Sequence, residues 1–325
     1  MKQILIFYIL IISFLFINTS FANNYTLITN DYKIIENIEI KLDNIILRNK
    51  KFNYDNVILI LEKYNQKPKS DRLYMIFNRL IYNLKIKQNK IIILEGWNIF
   101  DIDNYLYYRN LINKGEYILY VENVEKINSL SKYFPFLDNQ ETIEGYLYPD
   151  TYEINSSNFH INEFVIKQLE AFENKVYNKL FLDEDKNPIY INRVIESIIN
   201  LSSIVEKEEK NINEKATVAG ILKKRVKEYW NIGADITTCY PYRLTGTECK
   251  LVISKYININ SEYNTRFIIG LPPTPIGNPS FDTIEATVNH EETNYYYYLH
   301  DTVTGKIYYA ETNEEHNKFK SLYIN

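Results

Sequence analysis

The chain has 325 residues, of which 30 are tyrosine, and a formal net charge of −4 at pH 7. This length allows one or two domains with a sizeable core, so nothing in it demands disorder or oligomer-assisted folding. The negative charge argues against a general nucleic-acid-binding protein, which presents an excess of Lys and Arg on one face.

The first 22 residues have the pattern of an export segment. Lys2 supplies a positive end, residues 4–17 are almost wholly apolar, and Ser20-Phe21-Ala22 fits a small-x-small cleavage site. The apolar run has the length of a signal-peptide core, although residues 14–21 extend it towards a membrane anchor. We therefore expect the rest of the chain outside the cytoplasm, either released by cleavage or held by a single pass in the inner membrane.

Residues 23–138 are predicted to form a small module. Strands are predicted at residues 25–28, 90–94 and 117–121, because β-branched and aromatic residues cluster there. Between the last two strands, apolar residues at spacings of three and four predict helical segments. The second half of this module is therefore expected to be a strand-helix-helix-strand unit.

Residues 139–325 are predicted to form a mixed domain of helices and strands, so the overall fold class is α+β. A hairpin is predicted to pair residues 295–300 with residues 306–309, and an irregular stretch is expected to end at Pro279. Helices are predicted at residues 161–177, 189–209, 213–229, 281–288 and 313–323.

Cys239 and Cys249 enclose a short loop and would lie in an oxidising compartment if the chain is exported. A disulfide and a pair of free thiols both stay open from the sequence. The four histidines, at positions 160, 290, 300 and 316, do not have the spacing of metal ligands. We therefore expect no metal and no organic cofactor.

The segment IINLSSIVEKEE, residues 198–209, places charges at the end of an apolar helical run. On a helical wheel, Glu206 projects to the same side as Ile199 and Ser202. A carboxylate on a buried face loses hydration, which raises its pKa towards the value that a general acid needs near neutral pH. The alternative is a solvated helix end at which Glu206 pairs with Lys210.

Three further stretches accompany this helix: EGYLYPDTY at residues 144–152, the Asp-Ile-Thr tripeptide at 235–237, and SEYNTRFIIGLPPTPIGNPS at 261–280. In order and spacing they resemble the endolytic murein transglycosylases of bacteria, the MltG/YceG-like family. That family carries ASIVEKE, EGxxxPDTY and YNTYxxxGLPPGPIxNP motifs. The resemblance runs from about Ile91, where ILEGWNIFDI is similar to IPEGxTxxQI, to the terminal EEHNKF.

The resemblance implies a lytic transglycosylase that cuts the β-1,4 bond between N-acetylmuramic acid and N-acetylglucosamine of nascent peptidoglycan. The cut is endolytic, uses no water and leaves a 1,6-anhydro end. Glu206 matches the general acid/base of the family, and Glu208 is the alternative register. One carboxyl group serves both proton transfers, whereas an ordinary glycosidase needs two. Residues 23–138 correspond to a LysM-like subdomain and residues 139–325 to the catalytic domain.

The other motif residues suit a sugar cleft, and glycan strands are the implied partner. The resemblance also implies contact with glycan polymerases and wall-elongation proteins. The residues that it assigns to substrate binding are Glu144, Tyr148, Asp150, Asp235, Thr237, Tyr263, Asn264, Thr265 and Asn278. For residues 144–150 the alternative is a loop locked by hydrogen bonds, and for residues 263–265 it is a local turn.

The sequence departs from the family pattern at two places. Gly233 and Ala234 stand where the family has Gln and Ser, and Thr274 replaces a glycine. Two other hypotheses stay open, and these departures add weight to the first of them. One is a non-catalytic peptidoglycan-binding or scaffold protein of the same fold, and the other is a hydrolytic muramidase that uses Glu206 with Asp235.

Overall fold

The computed structural model describes residues 89–324. The export segment predicted at residues 1–22 and the strand predicted at residues 25–28 lie outside the described residues. No helix between residues 89 and 324 has both the length and the apolar character that a membrane span needs. The described part of the chain consists of helices and two small antiparallel sheets, which confirms the predicted α+β class.

The first unit is closed by two short antiparallel strands. β1 (Lys90–Ile92) pairs with β2 (Thr151–Glu153). The helices between them are α1 (Ile99–Tyr108), α2 (Glu116–Val121) and α3 (Val124–Leu130). The unit thus begins and ends with a strand as predicted, but β2 closes it in place of residues 117–121. Its LysM-like character stays a prediction.

The strand predicted at residues 117–121 is wrong, because these residues belong to α2. Gly115 has a φ of 90° and turns the chain just before the helix. The Asp103 carboxylate accepts hydrogen bonds from the backbone N–H groups of Gly115 and Tyr117, at 2.8 and 3.1 Å. These bonds satisfy donors that a helix start leaves open. Tyr117 and Val121 are four residues apart and both buried, which suits a helix face.

After β2 the chain is mostly helical and ends with a hairpin and a last helix. The elements in order are α4 (Ile161–Phe172), a π-helical turn (Glu173–Tyr177), α5 (Asn178–Leu180), α6 (Asn192–Glu208), α7 (Ile212–Lys227), a 3-10 segment (Asp235–Tyr242), α8 (Gly246–Tyr256), α9 (Phe281–Val288), β3 (Tyr297–His300), β4 (Ile307–Ala310) and α10 (Asn313–Tyr323). The five helices and the hairpin predicted for this part of the chain are confirmed.

The stretch between α7 and α9 is not as irregular as predicted, because it contains the 3-10 segment and α8. Helix α8 begins at a capping box, in which the side chains of Thr245 and Glu248 each accept a hydrogen bond from the other residue's backbone N–H group. A disulfide joins Cys239 in the 3-10 segment to Cys249 in α8. This bond decides between the two states that the sequence left open.

Helix α6 contributes to both apolar clusters of the described core. Ile195 and Ile199 belong to the cluster that also includes residues of β1 and α1–α4, whereas Ile204 and Val205 pack with residues of α7. Helices α6, α7 and α9 pack against one another. Residues on both sides of residue 138 share the first cluster, so the core has no break there. The predicted domain boundary at that residue stays a prediction.

Candidate active site

Glu206 lies in the last turn of α6, where α7 and α9 approach it. Its side chain is only 7% exposed, and Lys215 of α7 places its Nζ 3.1 Å from Oε1. Ser280, the N-cap of α9, donates to Oε2 from its backbone N–H at 2.9 Å and from its hydroxyl at 2.7 Å. The Thr283 hydroxyl, in the first turn of α9, donates to the same oxygen. The carboxylate is thus held by donors from two other helices.

These donors shift the pKa of Glu206 in the direction opposite to the one that the sequence predicts. Burial raises the pKa of Glu206, but the hydrogen bonds from Thr283 and Ser280 and the charge of Lys215 outweigh it. The pKa therefore lies below its ordinary value of 4.5. The prediction of a raised pKa is wrong, because the wheel of α6 shows apolar neighbours and cannot show donors from α7 and α9. The ion pair with Lys210 is also wrong, since Lys215 takes that place.

Glu208, the alternative register, faces a different neighbour. Its carboxylate accepts a hydrogen bond from the Tyr298 hydroxyl at 2.9 Å, and burial raises its pKa. The adjacent Glu209 contacts Nε2 of His300 at 2.9 Å. Both carboxylates therefore tie the end of α6 to strand β3. This arrangement favours Glu206 over Glu208 as the reactive group.

Lys207, between the two glutamates, ties α6 to the segment before α1. Its Nζ donates to the Gly96 carbonyl oxygen at 2.7 Å, and the Gly96 N–H donates to the Asn278 carbonyl oxygen at 2.8 Å. Gly96 has a φ of 72°, and a Cβ atom placed on it would lie 3.2 Å from Cγ of Glu206. A Cβ on Gly277 would lie 2.7 Å from the Gly96 oxygen. Both glycines are therefore required by close packing around Glu206.

Glu95 is brought to this site by the same packing, although the sequence predicts no role for it. Its side chain is largely exposed to solvent, but the partial loss of hydration and then the charge of Glu206 raise its pKa. Among residues 89–324, no group donates a hydrogen bond to its carboxylate. The sequence signal that could have identified Glu95 is its position as the charged residue of ILEGW, within a stretch that resembles the family motif.

Glu144 and Asn278 form a buried joint behind the Glu206 pocket. Glu144 is fully buried and accepts hydrogen bonds from the Ile99 N–H at 2.9 Å, the Tyr240 hydroxyl at 3.1 Å and the Asn278 amide at 2.6 Å. Burial raises the pKa of Glu144 to about 8, although the hydrogen bonds from Ile99 and Tyr240 and the charge of Lys207 oppose this rise. The locked-loop alternative for Glu144 is therefore the one the contacts favour.

Asn278 completes this joint through its other amide atom. Its Oδ1 accepts hydrogen bonds from the backbone N–H groups of Gly145 and Leu147, at 2.8 and 3.0 Å, and its Nδ2 also donates to the Trp97 carbonyl oxygen at 2.9 Å. One buried side chain thus connects three of the motif stretches.

Three further predicted substrate residues are also buried. The hydroxyls of Thr237 and Thr265 lie 3.1 Å apart, and the Ala234 N–H donates to Thr265 at 3.0 Å. Asn264 donates to two backbone carbonyl oxygens, at 3.0 and 2.8 Å, as the local-turn alternative expects. Like Glu144 and Asn278, these side chains support the site from behind in this structure. Their contact with substrate stays a prediction.

Of the remaining predicted substrate residues, Asp150 and Asp235 are partly exposed, whereas Tyr148 and Tyr263 are each only 9% exposed. Asp150 pairs with Lys175, and Asp235 pairs with Arg266. The muramidase hypothesis needs Asp235 as a second carboxylate, and its ion pair weighs against that role.

Thr274, which replaces a family glycine, fits its position. It is not among the residues with positive φ, whereas Gly270 in the same loop has a φ of 92°. Its hydroxyl lies 2.8 Å from the Tyr263 hydroxyl. The substitution therefore strains no backbone and adds a hydrogen bond beside Tyr263.

Comparison with known proteins agrees with this arrangement. The endolytic murein transglycosylase of Streptococcus pneumoniae strain D39 is 28% identical over 211 residues, which are 62% of this chain and 36% of the relative. The enzyme of the same name from Bacillus subtilis strain 168 is 27% identical over 243 residues, 72% of this chain and 65% of the relative. The matches thus span between about a third and just under two thirds of these relatives.

A solved structure and a family model complete the comparison. The crystal structure of a YceG-like protein from Listeria monocytogenes has a TM-score of 0.60 and 23% identity, and the match covers 88% of this chain and 95% of that one. This likeness establishes a shared fold. The model of the YceG-like family matches residues 62–321, which is most of the sequence. The chain therefore belongs to the YceG-like family.

Proposed function

We propose that this protein is a lytic transglycosylase of peptidoglycan. It cleaves the β-1,4 bond between N-acetylmuramic acid and N-acetylglucosamine within glycan strands and leaves a 1,6-anhydro end. The observation that carries the proposal is the carboxylate of Glu206, enclosed by Lys215, Ser280 and Thr283. The names of the curated relatives support the choice of substrate.

The environment of Glu206 suits the second half of this reaction. A carboxylate whose pKa lies below 4.5 is ionised at neutral pH and can accept a proton. The hydroxyl on C6 of the muramic acid attacks the anomeric carbon, and Glu206 takes the hydroxyl proton as the new bond forms. Because this internal hydroxyl replaces water, the product is the anhydro sugar. Lys215 and Ser280 hold the carboxylate oriented towards the attacking group.

The first half of the reaction needs a proton on the leaving glycosidic oxygen. If Glu206 also supplies it, Glu206 has to be protonated when substrate binds. Removal of water by the bound glycan favours that change, whereas Lys215 opposes it. The single-carboxylate scheme therefore depends on a pKa that rises in the complex.

The proposal places the protein at the outer face of the inner membrane, because glycan strands lie outside the cytoplasm and residues 1–22 have the pattern of an export segment. Cell fractionation of the full chain and of a variant without residues 1–22 tests this location. Recovery of the full chain in the cytoplasm would contradict it. Glycan polymerases and elongation proteins are the proposed partners, and co-purification from membranes tests them.

The test of function is product analysis of purified peptidoglycan after digestion. We expect wild type to release anhydro-ended fragments, which mass spectrometry separates from reducing ends by the mass of one water. Glu206→Gln should lower the rate by about 10²–10⁴-fold, while the matched control Glu208→Gln keeps it. Equal product from wild type and Glu206→Gln would overturn the assignment.

Two other results of the same experiment would replace the proposed function. Reducing ends in place of anhydro ends would identify a hydrolase. Binding to insoluble peptidoglycan without release of fragments would identify a binding protein.

A further inference from the structure

The position of Glu95 is determined by contacts of its neighbour Gly96. The Gly96 carbonyl oxygen accepts from Lys207 Nζ at 2.7 Å, and its N–H donates to the Asn278 oxygen at 2.8 Å. The Gly96 backbone lies so near Glu206 that a Cβ there would be 3.2 Å from Cγ of that residue. Glu95 is therefore attached to a backbone that is held against the proposed catalytic carboxylate.

The surroundings of Glu95 are open, unlike those of Glu206. Its side chain is exposed, and none of the described residues donates a hydrogen bond to it. The charged and titratable groups that act on it or are acted on by it are Glu206, Lys215, Asp282 and Tyr148. A carboxyl group with no partner of its own at this place is available to a ligand.

The surroundings shift the pKa values of the two carboxyl groups in opposite directions. The contacts of Glu206 keep it ionised, whereas burial and the charge of Glu206 raise the pKa of Glu95. Of two carboxyl groups in one site, the one with fewer donors and no cation at contact distance binds a proton more readily. The leaving oxygen of the glycan needs such a proton.

We propose that Glu95 is a second catalytic carboxyl group, which donates a proton to the leaving glycosidic oxygen while Glu206 accepts the proton of the attacking hydroxyl. This inference rests on the proposed function and divides between two residues the work that one residue performs in the single-carboxylate scheme. It also removes the need for Glu206 to gain a proton next to Lys215.

The step balances without water. The bond between the anomeric carbon and the glycosidic oxygen breaks, its electron pair goes to that oxygen, and the oxygen takes the Glu95 proton. The C6 oxygen bonds to the anomeric carbon and releases its proton to Glu206. Glu95 ends ionised and Glu206 ends protonated, and transfer of one proton from Glu206 to Glu95 restores the starting state.

The experiment uses the purified full chain and two substrates. On peptidoglycan, Glu95→Gln should lower the rate of anhydro product formation by about 10²–10⁴-fold. The matched control Asp282→Asn, which removes a charge from the same exposed group of side chains, should keep most of the rate. The second substrate is a dinitrophenyl glycoside of the N-acetylglucosamine–N-acetylmuramic acid disaccharide, whose leaving group needs no proton.

On the dinitrophenyl substrate, Glu95→Gln should react at nearly the wild-type rate, whereas Glu206→Gln should stay slow. The pH profile of Glu95→Gln on peptidoglycan should also lose the alkaline limb that the acid produces in wild type. A purely structural role would slow both substrates alike and keep both limbs. That result, or full activity of Glu95→Gln on peptidoglycan, would overturn the inference.

Failure of the inference is distinguishable from failure of the proposed function. If wild type forms no anhydro product, the proposed function fails. If wild type forms it and Glu206→Gln does not, but Glu95→Gln is as active as wild type, only the role of Glu95 fails.

Discussion

Glu206 and Glu144 are two enclosed carboxylates held by the same short segment, since Ser280 donates to the first and Asn278 to the second. The pKa values of the two groups are nevertheless shifted in opposite directions. The pKa of Glu206 lies below its ordinary value, whereas that of Glu144 is raised to about 8. Lys215 lies at 3.1 Å from Glu206, and no described cation lies within ion-pair distance of Glu144.

Burial alone therefore does not determine the charge of a carboxyl group. Both groups lose hydration, but a cation in contact and clustered hydroxyl donors offset this loss only at Glu206. Glu144 has three donors without a cation in contact, and burial dominates. The first environment favours the ionised carboxylate that the proposed base requires, and the second makes a structural joint.

The largest effect on this comparison is expected from Asn278→Ala, which breaks the Glu144 side. The change leaves the N–H groups of Gly145 and Leu147 and an oxygen of Glu144 without partners in the core. At about 1–3 kcal/mol for each of these three unsatisfied groups, the free energy of unfolding should fall by about 3–9 kcal/mol. Urea titration measures it, with the exposed Asn289→Ala as control. A loss equal to that of the control would show that Asn278 does not hold the joint.

The next effect is expected from Lys215→Met, which makes the surroundings of Glu206 more like those of Glu144. Removing one partner of a nearly buried ion pair should cost about 3–5 kcal/mol of unfolding free energy at pH 7. The pKa of Glu206 should rise. If Glu206 acts as a base, the acidic limb of the rate profile moves to higher pH.

The destabilisation caused by Lys215→Met should depend on pH, and the sign of this dependence follows from the lowered pKa of Glu206. In wild type, ionised Glu206 stabilises the fold above the ordinary pKa of 4.5, and this stabilisation is lost as pH falls through the lower pKa of the folded protein. The gap in unfolding free energy between wild type and Lys215→Met should therefore be largest at neutral pH and shrink towards acidic pH. A gap that is constant with pH would contradict the electrostatic role of Lys215.

A smaller effect is expected from Gly277→Ala, which disturbs the link between the two regions. The added Cβ would lie 2.7 Å from the Gly96 carbonyl oxygen, a backbone atom that cannot move freely. We expect a loss of about 1–3 kcal/mol by thermal unfolding and a lower rate. In Gly246→Ala the nearest atom is an Asp101 oxygen at 3.7 Å, so this control should be nearly neutral. Similar values for both variants would remove the close approach as the cause.

The smallest effect is expected from Glu208→Gln, which tests a third carboxyl group whose pKa burial raises. The amide oxygen can still accept from Tyr298, so stability at pH 7 should stay within about 1 kcal/mol of wild type. Because burial raises the pKa of Glu208, wild type loses stability as pH rises through the window above 4.5. In urea titrations, the unfolding free energy of the variant relative to that of wild type should therefore increase as pH rises. An increase in this relative unfolding free energy as pH falls would contradict the raised pKa of Glu208.

Much of the fold could be predicted because its signals are local. Helices α6, α9 and α10 carry apolar periodicity or capping residues within their own sequence, such as Ser280 before α9 and Thr312 before α10. Helix α2 was missed because its cap comes from Asp103, twelve residues before Gly115. Helix α8 has a local signal in the capping residues Thr245 and Glu248, although no helix is predicted there.

The sequence by itself determined the α+β class, the family motifs and the place of Glu206 near the end of an apolar helix. Only the tertiary structure decided the charge of that carboxylate, because its donors are 9 to 77 residues away in the chain. The structure also places Glu206 and Glu208 against different neighbours, Ser280 and Tyr298. It brings the Glu95 backbone beside the site. A pKa depends on atoms within a few ångströms, and the packing of α6 against α7 and α9 chooses those atoms.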